Sequence, residues 1–338
     1  MGFVFFCRHK VHSDRAQEKS SGLSQAKTVH LRLVRGQGFR ADWPGAYNLP
    51  DLLRNLWDSR SRLQQIALSL VRKLHEPMEP KVNFFATCMG VSALPDAALS
   101  AVKLLTHCGV KVIFKQDQTC CGQPAYNTGF TDEARRIARY NVELFSDNDY
   151  PIVVPSGSCA GMMSKEYAEL FVDADEKTKA QVAAFSARVT DLSQYLVDVL
   201  QVKLQDRGVP TKATFHVSCH SLRVQHCVPT QKALLQSLAQ VEYVPLPYEE
   251  ECCGFGGTFS VLEPELSAAM VGDKIRHIKE TGVEVVIAAD HGCILNISTA
   301  LHKQGLDHIK VYSLYDFIWQ RVSPNLTETI PCAAVGGV

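Results

Sequence analysis

TCCGQPAYNTG at residues 119–129 and ECCGFGGTFS at residues 251–260 decide how this sequence folds. Each joins two adjacent cysteines to a glycine, and each sits inside a longer pattern of the same kind. Cys88 precedes the first pair by 31 intervening residues, and Cys159 follows it after 37. Cys219 precedes the second pair by 32, and Cys293 follows it after 39. The offsets between the copies are 131, 132, 132 and 134 residues. Self-similarity of this kind marks a repeated unit, and a period this long means a duplicated domain and not a solenoid.

The flanking sequence repeats as well. KVNFFAT (81–87) is a short apolar run that reads as a buried strand ending at Cys88. Pro95 to His107 reads as a helix stopped by Gly109. KVIFK (111–115) is a second strand, a helix capped by Thr131 runs to about Phe145, and PIVVP (151–155) is a third strand leading to Cys159. In the second copy the strands are ATFHVS (213–218), VEYVPLP (241–247) and VEVVIAAD (283–290), with helices near 229–239 and 263–280. Strand–helix alternation predicts an α/β fold, two duplicated Rossmann-like βαβ cysteine-rich domains with parallel sheets. The cysteines follow the C-terminal ends of three strands in each copy, the edge at which open α/β sheets place their ligands.

Composition narrows the function classes. The chain has 338 residues, 46% hydrophobic and 21% charged, with 35 basic and 35 acidic side chains. That balance excludes disorder as the main state and argues against a dedicated nucleic-acid binder. No apolar run approaches the ~20 residues of a membrane-spanning helix. MGFVFFC at the start is followed by basic residues, the reverse of secretory order, so a cytoplasmic location is expected. Twelve cysteines in a reducing compartment then point to metal or redox chemistry. Cys108 and Cys227 read as small buried hydrophobes, and Cys7 and Cys332 as free thiols.

Thiolate is a soft ligand that iron–sulfur clusters and zinc both accept. Four cysteines per copy meet the count for a four-thiolate cluster or a structural zinc. Structural zinc sites usually use C-x₂-C knuckles, which neither copy has, and adjacent ligands suit a multi-iron cluster better than one tetrahedral ion. The glycine after each pair lets backbone approach, so that N–H groups can donate to sulfur. Zinc, empty thiol sites and vicinal disulfides are the competing readings, the last weakened by the strained backbone it requires.

The segments FFATCMG (84–90), QTCCGQPAYNTGF (118–130), VVPSGSCAGM (153–162), HVSCHSLR (216–223), ECCGFGGTFSV (251–261) and GCILNI (292–297) resemble a known family. Two such CCG domains occur in the B component of heterodisulfide reductase, the glycolate oxidase iron–sulfur subunit and lactate utilization protein A, and the sequence is most similar to the last. The resemblance runs from about Lys81 to Trp319. It implies an iron–sulfur electron-transfer subunit of a complex that oxidises L-lactate to pyruvate, partnered by the lactate utilization iron–sulfur protein B and protein C. It implies one [4Fe-4S] cluster per domain, on Cys88, Cys120, Cys121 and Cys159 and on Cys219, Cys252, Cys253 and Cys293, with zinc an alternative in one domain. The heterodisulfide reductase pattern ends each copy in C-x-x-C, whereas Met162 and Asn296 stand at the last position here. That departure argues against a disulfide-cleaving enzyme. A zinc-stabilised scaffold is the third reading.

No acid/base pair for abstracting a hydroxyl proton is evident, so no catalytic residue is assigned. His220 and Arg223 flank Cys219 as candidates to hydrogen-bond a cluster or hold a substrate carboxylate, against a plain role on the following helix. His291, two residues before Cys293, is an alternative metal ligand or an ordinary loop histidine. GFGG (254–257) lacks the G-x-G-x-x-G spacing of a dinucleotide loop. Residues 1–80 read as an extension. Eight basic side chains face two acidic ones over residues 1–40, little periodicity predicts disorder there, and Asp51 to His75 reads as an amphipathic helix. Met78, just before the repeat, is an alternative start. Residues 81–210 are then a first domain with connecting helices, one of them from about Asp191 to Val202. Residues 211–325 form the second domain, and 326–338 a tail.

Overall fold

Residues 79–323 are described by the computed structural model. The expectations for residues 1–78 and 324–338 lie outside them. These include the helix Asp51–His75, the alternative start at Met78, and Cys7 and Cys332. Strand β1 (Lys81–Phe84) pairs in parallel with β2 (Lys111–Phe114) and β3 (Ile152–Val154), and β3 with β4 (Val189–Asp191). The second copy repeats this with β5 (Thr211–His216), β6 (Val241–Tyr243), β7 (Val285–Ala288) and β8 (Lys310–Ser313). The two sheets have the orders β2-β1-β3-β4 and β6-β5-β7-β8. The protein is therefore an α/β fold of two parallel sheets built from duplicated βαβ units.

Each lobe has four strands, one more than the sequence pattern suggested. The extra strand of the first lobe, Val-Thr-Asp, has a single apolar residue, so no hydrophobic run announces it. Asp191 ends β4 and caps the helix Leu192–Gln194, so the amphipathic segment expected from Asp191 begins one residue later and continues as a π-helical turn, Tyr195–Val199. Thr131 does not cap its helix. It is the first residue of Thr131–Leu144, which starts after Phe130 with no side-chain cap.

Strand side chains alternate between faces, and here the alternation divides the core. Val82 and Phe84 of β1 share an inner core with Ala213 and Phe215 of β5. Helices Pro95–His107, Val228–Gln236 and Leu314–Val322 close it with Leu104, Leu235 and Ile318. Ile152 and Val154 face an outer core with Phe145 and Phe185, and Val286 faces another with Ile275 and Ile297. The lobes are thus joined through apolar packing. The segment between them is fastened by a buried fork, in which Arg321 Nε and Nη2 lie 3.0 and 3.1 Å from the two carboxylate oxygens of Asp206. Cys108 and Cys227 are buried, as expected.

Candidate metal centre

In each sheet the first strand of the lobe is central, and the chain leaves it toward one neighbour and returns on the other side. The crevice beyond the strand ends opens at such a reversal. Cys88 follows β1 and Cys159 follows β3, on either side of that point, and the pair Cys120–Cys121 follows β2. Cys219, Cys293 and Cys252–Cys253 hold the same places after β5, β7 and β6. Local capping fixes the outer cysteines. Thr87 Oγ1 accepts from Gly90 N at 3.0 Å and starts the helix Cys88–Ser92. Ser218 Oγ accepts from Ser221 N at 3.2 Å and starts Cys219–Arg223.

All eight cysteines line a single cleft of about 280 Å³. Its walls are contributed by both lobes. The carboxylate of Asp290 accepts from Ser156 Oγ and from Ser158 N, each at 3.1 Å, so a second-lobe acid supports the turn that carries Cys159. Gly157 sits so close to Ser221 that a Cβ there would lie 2.0 Å from its hydroxyl oxygen.

Within the first quartet Cys88 Sγ lies 3.6 Å from Cys120 Sγ, and within the second Cys253 Sγ lies 3.1 Å from Cys293 Sγ. Gly122 and Gly254 adopt φ of 90° and 79°, a left-handed conformation costly to any other residue. That turn aims their N–H groups back at the first cysteine of each pair, at 3.5 Å from Cys120 Sγ and 3.4 Å from Cys252 Sγ. Neighbouring thiols and this N–H concentrate negative charge on one sulfur per quartet. Hydrogen bonds from Cys121 and then Cys88 pull the Cys120 thiol well below the usual thiol range. Those from Cys219 and then Cys253 do the same to Cys252. The donors Cys88 and Cys219 are pushed up correspondingly. Four convergent thiols with a backbone donor on one sulfur fit a soft, multiply ligated metal group in each lobe.

The carbonyls behind the pairs are also held. Tyr167 donates its hydroxyl to Cys121 O at 2.9 Å, and Asn141 Nδ2 donates to Cys120 O at 2.9 Å. In the second lobe Asn296 Nδ2 donates to Cys253 O at 2.7 Å. The residue that replaces a fifth cysteine there therefore supports the pair through its backbone.

A family profile described as a cysteine-rich domain, with the CCG signature, matches residues 82–164 and 213–298. A lactate utilization protein A from an Exiguobacterium strain is 42% identical over 227 residues, covering 67% of this chain and 92% of that relative. Its counterpart from Halalkalibacterium halodurans is 42% identical over 228 residues, covering 67% and 91%. The chain belongs to the lactate utilization protein A family. A counterpart from Oceanobacillus iheyensis matches at 37% over 238 residues, 70% of this chain and 96% of that one. The fold is also similar to that of a hypothetical protein from Helicobacter pylori, with a TM-score of 0.55 at 11% identity over 73% of this chain and half of that protein.

In this member of the family, the three non-cysteine candidates separate. His220 Nδ1 lies 3.5 Å from Cys219 Sγ, and its Nε2 lies 3.8 Å from the half-buried carboxylate of Glu166. Arg223 is exposed and reaches only the Glu250 carbonyl, at 3.4 Å. His291 is buried between the lobes, 2.9 Å from Thr87 Oγ1 through Nδ1. The sequence sets His216 beside Cys219 in the HVSCHSLR segment without pointing to a role for it. It is fully buried, and its ring approaches the sulfurs of Cys253 and Cys293 closely enough that all three donor atoms lie within 4.8 Å of one another. Burial, with Lys274 nearby, pushes its pKa down to about 3, so the imidazole is neutral. Lys274 was also missed. It lies between Val271 and Ile275 on the buried stripe of the helix Pro264–Thr281, and a cation on that stripe is the signal that could have found it.

Proposed function

We propose that this chain is an iron–sulfur electron-transfer subunit of a complex that oxidises L-lactate to pyruvate. Cys88, Cys120, Cys121 and Cys159 would hold one cluster, and Cys219, Cys252, Cys253 and Cys293 the other. The observation that carries this reading is the cleft itself, in which both thiol quartets of a lactate utilization protein A family member face one opening. Such a group, when bound, supplies one-electron transfer at a potential set by hydrogen bonds, charge and burial. The chain's own residues set those conditions. Gly122 and Gly254 direct N–H groups at sulfur, Lys274 places a buried cation beside the second quartet, and Phe85 packs apolar surface against Cys121 and Cys159. The partners that fit are the lactate utilization iron–sulfur protein B and protein C, with the hydroxy acid oxidised in the assembled complex. Among the described residues no helix is long and apolar enough to cross a membrane.

Anaerobic purification followed by iron, acid-labile sulfide and zinc counts, with EPR of the reduced protein, tests this reading. Cys120→Ser and Cys252→Ser should each remove roughly half of the bound iron, because each quartet meets the ligand count of one cluster. An iron content that either substitution leaves unchanged would remove that lobe from the proposal. Zinc without sulfide in both sites would replace it with a structural scaffold. Lactate-dependent reduction should require the assembled partners and be absent from the isolated chain.

A further inference from the structure

The two quartets repeat the same thiols, yet among the described residues the second has a buried imidazole in a place where the first has none. His216 lies at the end of β5, three residues before Cys219. Its offset of 131 residues places it opposite Phe85 in the first lobe, a side chain that offers no donor atom. The His216 ring is 0% exposed, and neither Nδ1 nor Nε2 has a hydrogen-bond partner. A fully buried imidazole with both nitrogens unpaired loses its hydration with nothing in return, which native interiors avoid. His291, also buried, shows the usual solution, since its Nδ1 finds Thr87. Lys274 and Asp290 act on the ring electrostatically without a hydrogen bond to it, and two sulfurs lie within metal-sharing distance. His216, Cys253 and Cys293 form a trio within 4.8 Å, the only group of three metal-ligating side chains so close among the described residues. A neutral imidazole and two thiolates are a donor set that zinc and iron both accept. The C-x-x-C position that could have given the second lobe a fifth thiolate is occupied by Asn296, whose amide is engaged with the Cys253 carbonyl.

We infer that His216 is a direct nitrogen ligand of the metal centre in the second lobe, so that the protein holds one all-thiolate site and one mixed thiolate–imidazole site. This rests on the reading that both lobes hold metal, but it makes a separate claim. The first lobe, with Phe85 in the equivalent place, has no counterpart. A neutral imidazole beside the four thiolates adds a donor without adding charge, so the second centre is distinguished from the first by a nitrogen in its coordination shell.

The test uses the full chain carrying Cys120→Ser, which isolates the second site. It is loaded anaerobically with iron and sulfide or with zinc, from protein grown with ¹⁵N-labelled or unlabelled histidine. The iron-loaded, reduced protein should show a nitrogen hyperfine coupling in pulsed EPR that changes isotope with the histidine label. The zinc-loaded protein should show a nitrogen in the first coordination shell by X-ray absorption. His216→Phe, which copies the first lobe, should abolish both signatures. His216→Cys should retain metal with an all-sulfur shell. The labelled protein carries the proposal even where a His216 variant folds poorly. Bound metal with an all-sulfur shell and no histidine coupling would overturn the inference and leave the proposed function standing. Absence of metal from both lobes of the unsubstituted chain would overturn the two together.

Discussion

Behind the first quartet stand Phe85 and Asn141, and behind the second, at offsets of 131 and 133 residues, stand His216 and Lys274. Asn141 is a neutral amide bonded to the Cys120 carbonyl, whereas Lys274 is a buried ammonium whose Nζ donates to the Tyr248 carbonyl at 2.8 Å. The lobes therefore share their thiols and differ in the dielectric and charge around them. Thiol positions follow from strand ends and CCG turns, which duplication copies together. The residues packed underneath are free to diverge, and it is these that make two sites from one pattern electrically distinct.

The glycines of the CCG turns offer the largest expected difference between the lobes. A Cβ on Gly254 would lie 2.7 Å from the Ser267 carbonyl oxygen, a backbone atom that cannot move aside. On Gly122 the nearest atom would be Ile137 Cγ2 at 3.3 Å, a side chain that can yield. Both substitutions by alanine meet the left-handed penalty of about 1–2 kcal/mol. Gly254→Ala should add an overpacking cost of about 1–3 kcal/mol. Urea denaturation of the two apo variants should thus place Gly254→Ala clearly below Gly122→Ala. Equal midpoints would mean that the two turns are equally tight.

Of comparable size is a difference in the fourth strands. Asp191 at the end of β4 corresponds to Ser313 at the end of β8, each preceding the helix that follows. Asp191 is fully buried, and its Oδ1 accepts from Ser193 N at 2.8 Å and from Tyr315 OH at 3.1 Å. Burial outweighs those hydrogen bonds and raises its pKa to about 6. A carboxyl whose folded pKa is raised contributes stability that is complete below the unfolded value near 4 and is lost as pH rises to about 6. The loss should be on the order of 2–3 kcal/mol. Asp191→Asn keeps an accepting oxygen and removes the titration, so its stability should fall less than the parent's between pH 4 and 6. Parallel stability–pH curves from urea melts would show that Asp191 is ionised at its ordinary pKa.

The smallest effects concern the carbonyls behind the cysteine pairs. Tyr167→Phe removes the donor to Cys121 O and should cost about 1 kcal/mol. Asn141 remains beside the site, because its amide lies 3.3 Å from the Tyr167 hydroxyl and already serves Cys120 O. Asn296→Ala leaves Cys253 O without its side-chain donor and should cost about 1–3 kcal/mol. A thermal or urea midpoint lower for Tyr167→Phe than for Asn296→Ala would reverse the expected order.

Much of this was legible in the sequence because it depends on spacing. The adjacent cysteines with glycine, the apolar runs before them and their repetition were enough to expect two parallel βαβ units with cysteines at the strand ends. Strand β4 escaped because Val189–Asp191 carries a single apolar residue, so it is defined by its pairing with β3 and not by its own pattern. His216 escaped for a related reason. On β5 it occupies a buried position on the face opposite Ala213 and Phe215, and only the packing of the second lobe determines that two sulfurs lie beside it.

What the sequence determined by itself is the chemistry and the periodicity: eight thiols, two turns that require glycine, and the order of strands and helices. The tertiary structure decided which of these meet. Both quartets open on one cleft because Asp290 of the second lobe holds Ser156 and Ser158 of the first, and because the inner core joins the two sheets. Contacts of that kind link residues more than a hundred positions apart. No local propensity encodes them, since they depend on side chains from several elements filling one volume at the same time.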